Sequence, residues 1–72
     1  MTLIPHTQEE LKTMGIAEGM IYDIAYVNKD YFNGEETVEK GRAKAVVTDS
    51  GIFFNVTDPY GMEKLVMKVR VL

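Results

Sequence analysis

Three alternating segments separated by two turn sequences constrain the fold more than any other feature of this 72-residue chain. Residues 42–48, 52–57 and 63–71 alternate apolar and polar side chains, which is the period of a β-strand with one covered face. Residues 49–51 read Asp-Ser-Gly, and residues 58–61 read Asp-Pro-Tyr-Gly, which fits a type I turn. The pattern predicts a three-stranded antiparallel meander.

The two turns also predict how the three strands align. They place Phe54 opposite both Val47 and Leu65, and they place Asn55 opposite Lys64. In this register the apolar sets of all three strands share one face of the sheet. This agreement between turn chemistry and side-chain pattern favours the meander.

A short helix is predicted ahead of the strands, over about residues 8–14. Thr7 and Glu10 have the spacing of a capping box, in which each side chain accepts a hydrogen bond from a free backbone N–H of the first turn. Two turns of helix are too few to be stable alone in water. We therefore expect the helix to pack against the sheet through Leu11 and Met14.

Residues 20–27 predict a further strand with apolar side chains on both faces. Such a strand is either covered on both sides or part of a curled sheet. Asp23 interrupts one apolar face, so we expect it at the rim of the sheet or paired with a lysine or arginine.

The polar, acidic stretch over residues 28–41 has two interpretations. Asn-Gly at residues 33–34 is a strong signal for a two-residue hairpin, which would pair residues 31–32 with residues 35–36. The alternative is a long loop that extends from the sheet. Its aromatic and acidic side chains form a second candidate binding site: Tyr31, Phe32, Glu35 and Glu36.

Together these elements predict a single, mostly β domain over residues 1–72, with a minor α component. Helix, strand, long loop and three hairpin-linked strands are the element order of a small antiparallel SH3-like barrel. The comparison concerns architecture only. The alternative is a curled sheet of four or five strands packed on the N-terminal helix.

The residue types exclude most catalytic and metal chemistry. The chain has no cysteine and a single histidine, His6, which we expect to be solvated beside the helix cap. A nucleophile, a base and an orienting group do not occur in any recognisable arrangement, so we predict no enzyme, no cofactor and no metal site. No segment approaches the ~20 apolar residues of a membrane span. We expect a cytoplasmic protein that does not enter the membrane.

The net charge of −3 conceals a division between the two halves of the chain. Residues 1–39 carry eight acidic and two basic residues, a balance of −6, whereas residues 40–72 carry three acidic and six basic residues, a balance of +3. Such an asymmetry is typical of an interaction surface.

The outward side of the last three strands is predicted to gather basic residues around one aromatic ring. The predicted partner-binding residues are Phe53, Val66, Val46, Lys44, Lys64, Lys68 and Arg70. This composition suits a protein partner with an acidic surface. It also suits single-stranded nucleic acid, on whose bases a ring can stack while lysines follow the phosphates. A merely solvated face with protective lysines is the third alternative.

From these features we predict a small, non-enzymatic binding module that acts by protein–protein contact. Self-association into a homodimer is one form that this contact could take. An adaptor or inhibitor encoded by a phage or bacterium is a role that suits so small a domain. The alternative is a small barrel that binds single-stranded nucleic acid through its basic sheet face.

Overall fold

The structure, a computed structural model, describes residues 3–29, 32–57 and 60–72. Along the chain these residues form one helix and five strands: α1 (Gln8–Thr13), β1 (Ile21–Lys29), β2 (Glu36–Thr48), β3 (Gly51–Thr57), β4 (Glu63–Val66) and β5 (Val69–Val71). The strands make one antiparallel sheet in the order β4-β3-β2-β1-β5. The mostly β prediction and the three-stranded meander β2-β3-β4 are therefore confirmed.

The predicted register of the meander is wrong at both hairpins. Phe54 lies opposite Ala45 and Val66 rather than opposite Val47 and Leu65. The first error is a shift of two residues, which leaves every side chain on its predicted face. The second is a shift of one residue, and because side chains alternate along a strand it exchanges the two faces of β4.

The position of the first loop, which is one residue earlier than predicted, and the length of the second loop explain the two shifts. Thr48 lies opposite Gly51, so only residues 49–50 connect β2 to β3. Thr57 lies opposite Glu63, and the connection from β3 to β4 is therefore five residues long, over 58–62. Within it Gly61 has a φ of 82°, a left-handed position that lengthens a hairpin loop beyond a simple turn. The predicted type I turn begins at residues 58–59, which lie outside the described residues.

Much of the predicted loop over residues 28–41 is strand. The β1–β2 ladder continues as far as Lys29 opposite Glu36, so the connecting tip covers residues 30–35 only. Because Glu36 pairs with Lys29, the predicted pairing of residues 31–32 with residues 35–36 is wrong. Polar side chains conceal this hairpin in the sequence, since the ladder uses backbone groups and needs no buried face.

The segment predicted as one strand over residues 63–71 is two strands. A bend at residues 67–68 separates β4 from β5, which lie at opposite ends of the sheet. Three residue steps from Val66 to Val69 span at most about 11 Å, so the sheet must curl until its two end strands approach each other. No ladder joins them, and the sheet is not closed. Of the two predicted architectures, the curled open sheet agrees with the structure.

The concave inner face of this sheet holds the core. Its buried members come from the helix and from every strand except β4: Leu11, Ile24, Tyr26, Ala43, Ala45, Ile52, Phe54, Val56 and Val69. The rings of Tyr22 and Phe54 meet edge to face, with centroids 6.2 Å apart. Aromatic pairs favour this arrangement because the positive edge of one ring meets the negative face of the other.

The predicted helix and its capping box are confirmed. Glu10 N–H donates to the Thr7 hydroxyl at 3.1 Å, and Thr7 N–H donates to a Glu10 carboxylate oxygen at 2.9 Å. Leu11 is fully buried and joins the helix to the core, as predicted. The same prediction is wrong for Met14, which follows the last helical residue and is 46% exposed.

Acidification should reveal the capping box. The Thr7 backbone N–H holds the pKa of Glu10 below its ordinary value of 4.5. Because the folded pKa lies below the unfolded one, this stabilisation is complete above the unfolded value and is lost as pH falls through the folded value. Glu10→Gln keeps an acceptor that does not titrate. The difference in melting temperature between wild type and this variant should therefore be larger at about pH 7 than at about pH 2; an equal difference at both would contradict the assignment.

The segment that precedes β1 covers strand edges that the sheet leaves open. His6 N–H donates to the Val69 carbonyl at 2.8 Å, and Val71 N–H donates to His6 Nδ1 at 3.0 Å, so His6 caps the outer edge of β5. The prediction of a solvated His6 is wrong, because the residue is partly buried against this edge. Val47 N–H donates to the Glu18 carboxylate at the end of β2. Uncovered edges would invite pairing with other chains.

Gln8 caps the third open edge, where β3 runs beyond β4. Its Nε2 donates to the Ile52 carbonyl at 3.1 Å, and Ile52 N–H donates to its Oε1 at 2.7 Å. The amide thus replaces the missing neighbouring strand. Gly51 gives it room, since a Cβ at that position would lie 2.9 Å from Gln8 Oε1.

Replacing Gln8 with Ala should lower the free energy of unfolding by about 1–3 kcal/mol, because two partly buried backbone groups of Ile52 lose their partner. Urea denaturation measures the change. Lys12→Ala, at an exposed position of the same helix, should change it by less than about 0.5 kcal/mol. Equal effects of the two variants would show that the amide contributes nothing beyond helix propensity.

Candidate functional site

The convex outer face of the sheet carries an apolar patch. One row of cross-strand neighbours runs Ile21, Lys44, Asn55 and Leu65 over four strands, and the pair of Val46 and Phe53 adjoins it. We define the apolar patch as Ile21, Val46, Phe53 and Leu65. Ile21 is 64% and Leu65 57% exposed, whereas Val46 and Phe53 are half-buried.

Basic side chains adjoin the patch on the same face. We call Lys40, Arg42, Lys44 and Arg70 the basic cluster; the first three occupy alternate positions of β2, about 6.7 Å apart. Arg70 and Lys40 lie on either side of Ala25 in the strand order. Ala25 faces outward yet is only 4% exposed, as expected if the aliphatic stems of its two long neighbours lie over it.

Asp23 is the acidic residue in the middle of this face. It lies opposite Arg42, and its Oδ1 is 3.6 Å from Arg42 Nε, which confirms the predicted pairing with a basic residue. The two side chains are 67% and 82% exposed, so solvent screens the pair. Exposed pairs of this kind contribute at most about 1 kcal/mol. Arg42 can therefore exchange Asp23 for another carboxylate at small cost.

The structure divides the predicted partner-binding residues. Phe53, Val46, Lys44 and Arg70 share the outer face. Val66 and Lys64 do not, because the one-residue shift of β4 turns them to the inner face, where Val66 packs against the core. Lys68 is exposed in the bend between β4 and β5.

Lys64 has a structural role in this position. Its Nζ donates to Asn28 Oδ1 at 2.9 Å and lies 5.9 Å from the centre of the Tyr26 ring. Asn28 is 8% exposed, and the hydrogen bond satisfies the carbonyl of its buried amide. Lys64 is therefore engaged within the fold. In the basic cluster, Arg70 donates to the Ile4 carbonyl at 3.3 Å and Arg42 pairs with Asp23, while Lys40 and Lys44 are exposed.

The second candidate site lies at the tip of the β1–β2 hairpin, and its described side chains are exposed to solvent. Tyr31 lies outside the described residues, and Phe32 is 89% exposed. Glu35 and Glu36 are exposed, and Glu35 N–H donates to Asn33 Oδ1 at 2.9 Å. In the part of the chain that the structure describes, no three histidine or acidic residues are grouped so that they could hold a metal ion.

Sequence reasoning missed Ile21 and Leu65, the two most exposed members of the apolar patch. Leu65 was placed inward by the register error at the second hairpin. Ile21 was missed because a strand with apolar side chains on both faces is predicted to be buried on both faces. A five-residue loop after Thr57, with Gly61 in the left-handed position, was the signal that could have placed Leu65 correctly.

Comparison with known proteins adds no relative. The chain matches no protein-family model, no curated protein and no solved structure. Among residues 3–29, 32–57 and 60–72, no helix is long and apolar enough to cross a membrane. The function is therefore inferred from the outer face itself.

Proposed function

We propose that this protein is a non-enzymatic binding module that contacts a protein partner through the outer face of its sheet. The observation that carries the proposal is the exposure of Ile21 and Leu65 in one cross-strand row, beside Val46 and Phe53. Adjoining exposed apolar side chains on a small domain commonly mark an interaction surface. Aromatic and aliphatic residues at the centre with charges at the rim are also the usual anatomy of an interface.

Two further proposals concern the fold of the protein and its cellular compartment. We propose that the domain is a divergent, open form of the SH3-like architecture, and the strand order β4-β3-β2-β1-β5 supports this proposal. We further propose a cytoplasmic setting, which the absence of cysteine supports. In such a fold the N-terminal segment fills the inner side, so the outer face is the surface left for a partner.

Paired variants test this function. Affinity capture from a lysate of the source organism is carried out with three proteins. They are the wild type, the outer-face pair Ile21→Ser with Leu65→Ser, and the control pair Ile4→Ser with Met14→Ser. The last pair removes two exposed apolar side chains outside the outer face. A polypeptide retained by wild type and by the control pair, but lost by the outer-face pair, is the expected result. Equal retention by all three would contradict the proposal.

Single-stranded nucleic acid is the second candidate function. Its supporting observation is the basic cluster beside Phe53, since cations that follow phosphates and a ring that stacks on a base make such a surface. Fluorescence anisotropy with a twelve-residue oligothymidine at low salt tests it. Affinity that falls steeply as salt is added would support this candidate, because phosphate contacts release counterions. No change in anisotropy would remove it.

A further inference from the structure

The outer face has a charge opposite to that of the whole chain. Among the described residues, the register places five cations on this face, the basic cluster and Lys29, and three acids, Asp23, Glu36 and Glu63; the balance is +2 on a protein whose net charge is −3. Opposite charges attract and like charges repel across an interface, so a surface of this kind selects its partner by sign.

The two lysines of the basic cluster are available to a partner, whereas Arg70 donates from Nη1 to the Ile4 carbonyl at 3.3 Å. Lys40 and Lys44 are exposed, and neither lies within ion-pair distance of a carboxylate of the described residues; the ion pair of Arg42 with Asp23 on the same face is open to solvent. In contrast, Lys64 is held by Asn28 and Tyr26. Neither the fold nor its core requires the charges of Lys40 and Lys44.

We infer that the outer face binds an acidic protein surface, whose carboxylates meet the basic cluster while an apolar centre covers the apolar patch. The inference rests on the proposed function, which it makes specific. A second copy of the chain does not fit in a symmetric, face-to-face arrangement, because two positively charged surfaces would then meet. The partner is therefore a different, acidic protein.

The probe is chosen from the spacing of the cations. Lys40, Arg42 and Lys44 occupy alternate positions of one strand, so carboxylates at alternate positions of an extended peptide have the same spacing of about 6.7 Å. The peptide Val-Ser-Glu-Ser-Glu-Ser-Glu provides this pattern, with one apolar side chain on the same face as its carboxylates. The same peptide with Lys for Glu, and a twelve-residue oligothymidine, are the two comparison ligands.

Titration of the ¹⁵N-labelled full chain with each ligand, followed by NMR, tests the inference. The acidic peptide should shift the amide signals of β2 and of Ile21, and the basic peptide should not. The double variant Lys40→Glu with Lys44→Glu should bind the acidic peptide about tenfold more weakly, or weaker still. The reason is that two attractions between opposite charges become repulsions between like charges. Lys12→Glu, on the helix, makes the same change of net charge as Lys44→Glu alone; it should alter the affinity by less than about twofold, and Lys44→Glu should alter it by more.

Two results would overturn the inference: equal effects of Lys12→Glu and Lys44→Glu, or tighter binding of oligothymidine than of the acidic peptide at equal salt. No shift with the acidic peptide would also overturn it. If that happened while Ile21→Ser with Leu65→Ser still lost a captured protein, the proposed function would stand and only the acidic character of the partner would be wrong. Thermal melting of each variant confirms that the compared proteins are folded.

Discussion

Replacing Leu11 with Ala should lower the free energy of unfolding by about 2–5 kcal/mol. Leu11 is fully buried, and it is the single core residue supplied by the helix. It fills the concave side of a sheet that does not close by itself, so its removal leaves a cavity between helix and strands. A domain of this size buries a modest core, and the lost contacts have few substitutes.

Chemical denaturation of the variant measures this change against Met14→Ala. Met14 is an apolar residue of the same segment but is 46% exposed, so its truncation should change the free energy of unfolding by less than about 0.5 kcal/mol. If both variants lost the same stability, the effect would belong to the helix and not to the core contact of Leu11. A Leu11 variant as stable as wild type would show that the sheet needs no cover.

The second large effect is expected at Phe54, where truncation to Ala should cost about 3–5 kcal/mol. Phe54 is fully buried and lies edge to face with Tyr22. Its neighbours across the sheet are Ala45 and Val66, one residue small and the other only partly buried, and neither can expand into the vacated space. The cost should therefore lie near the upper end of the range for core aromatics.

The adjacent residue provides the matched control. Phe53 has the same side chain but points to the outer face and is half-buried. Phe53→Ala should reduce the magnitude of the free energy of partner binding by more than it lowers the free energy of unfolding. Phe54→Ala should mainly lower the free energy of unfolding. Denaturation and affinity capture of the two variants separate these effects. Comparable destabilisation by both would contradict the assignment of the two faces of β3.

Local signals predicted the fold most successfully. The capping box of Thr7 and Glu10 depends on residues three apart, and it begins the helix where the sequence indicates. The alternation of β3 is likewise read from neighbouring residues, and its inner and outer sides are as predicted. Such signals succeed because they need no knowledge of distant contacts.

The misplaced elements depend on distant contacts. Whether residues 63–71 form one strand or two is decided by their neighbours, since β4 pairs with β3 and β5 pairs with β1. The faces of β4 depend on one additional loop residue. Two of the seven predicted partner-binding residues changed face for that reason, because Lys64 and Val66 exchanged faces with Leu65. The basic character of the outer face survived, because β2 was shifted by two residues and kept its faces.

The caps on the sheet edges imply an order of events in folding. Gln8 and Ile52 are 44 positions apart in the chain, and His6 and Val71 are 65 apart, whereas the hairpins join near neighbours. Closing long loops costs more entropy and slows the contacts that require it. We expect the hairpins to form in the transition state and the N-terminal segment to dock after it. Leu11→Ala should then accelerate unfolding and leave the folding rate almost unchanged, and stopped-flow kinetics would show this as a φ-value near zero.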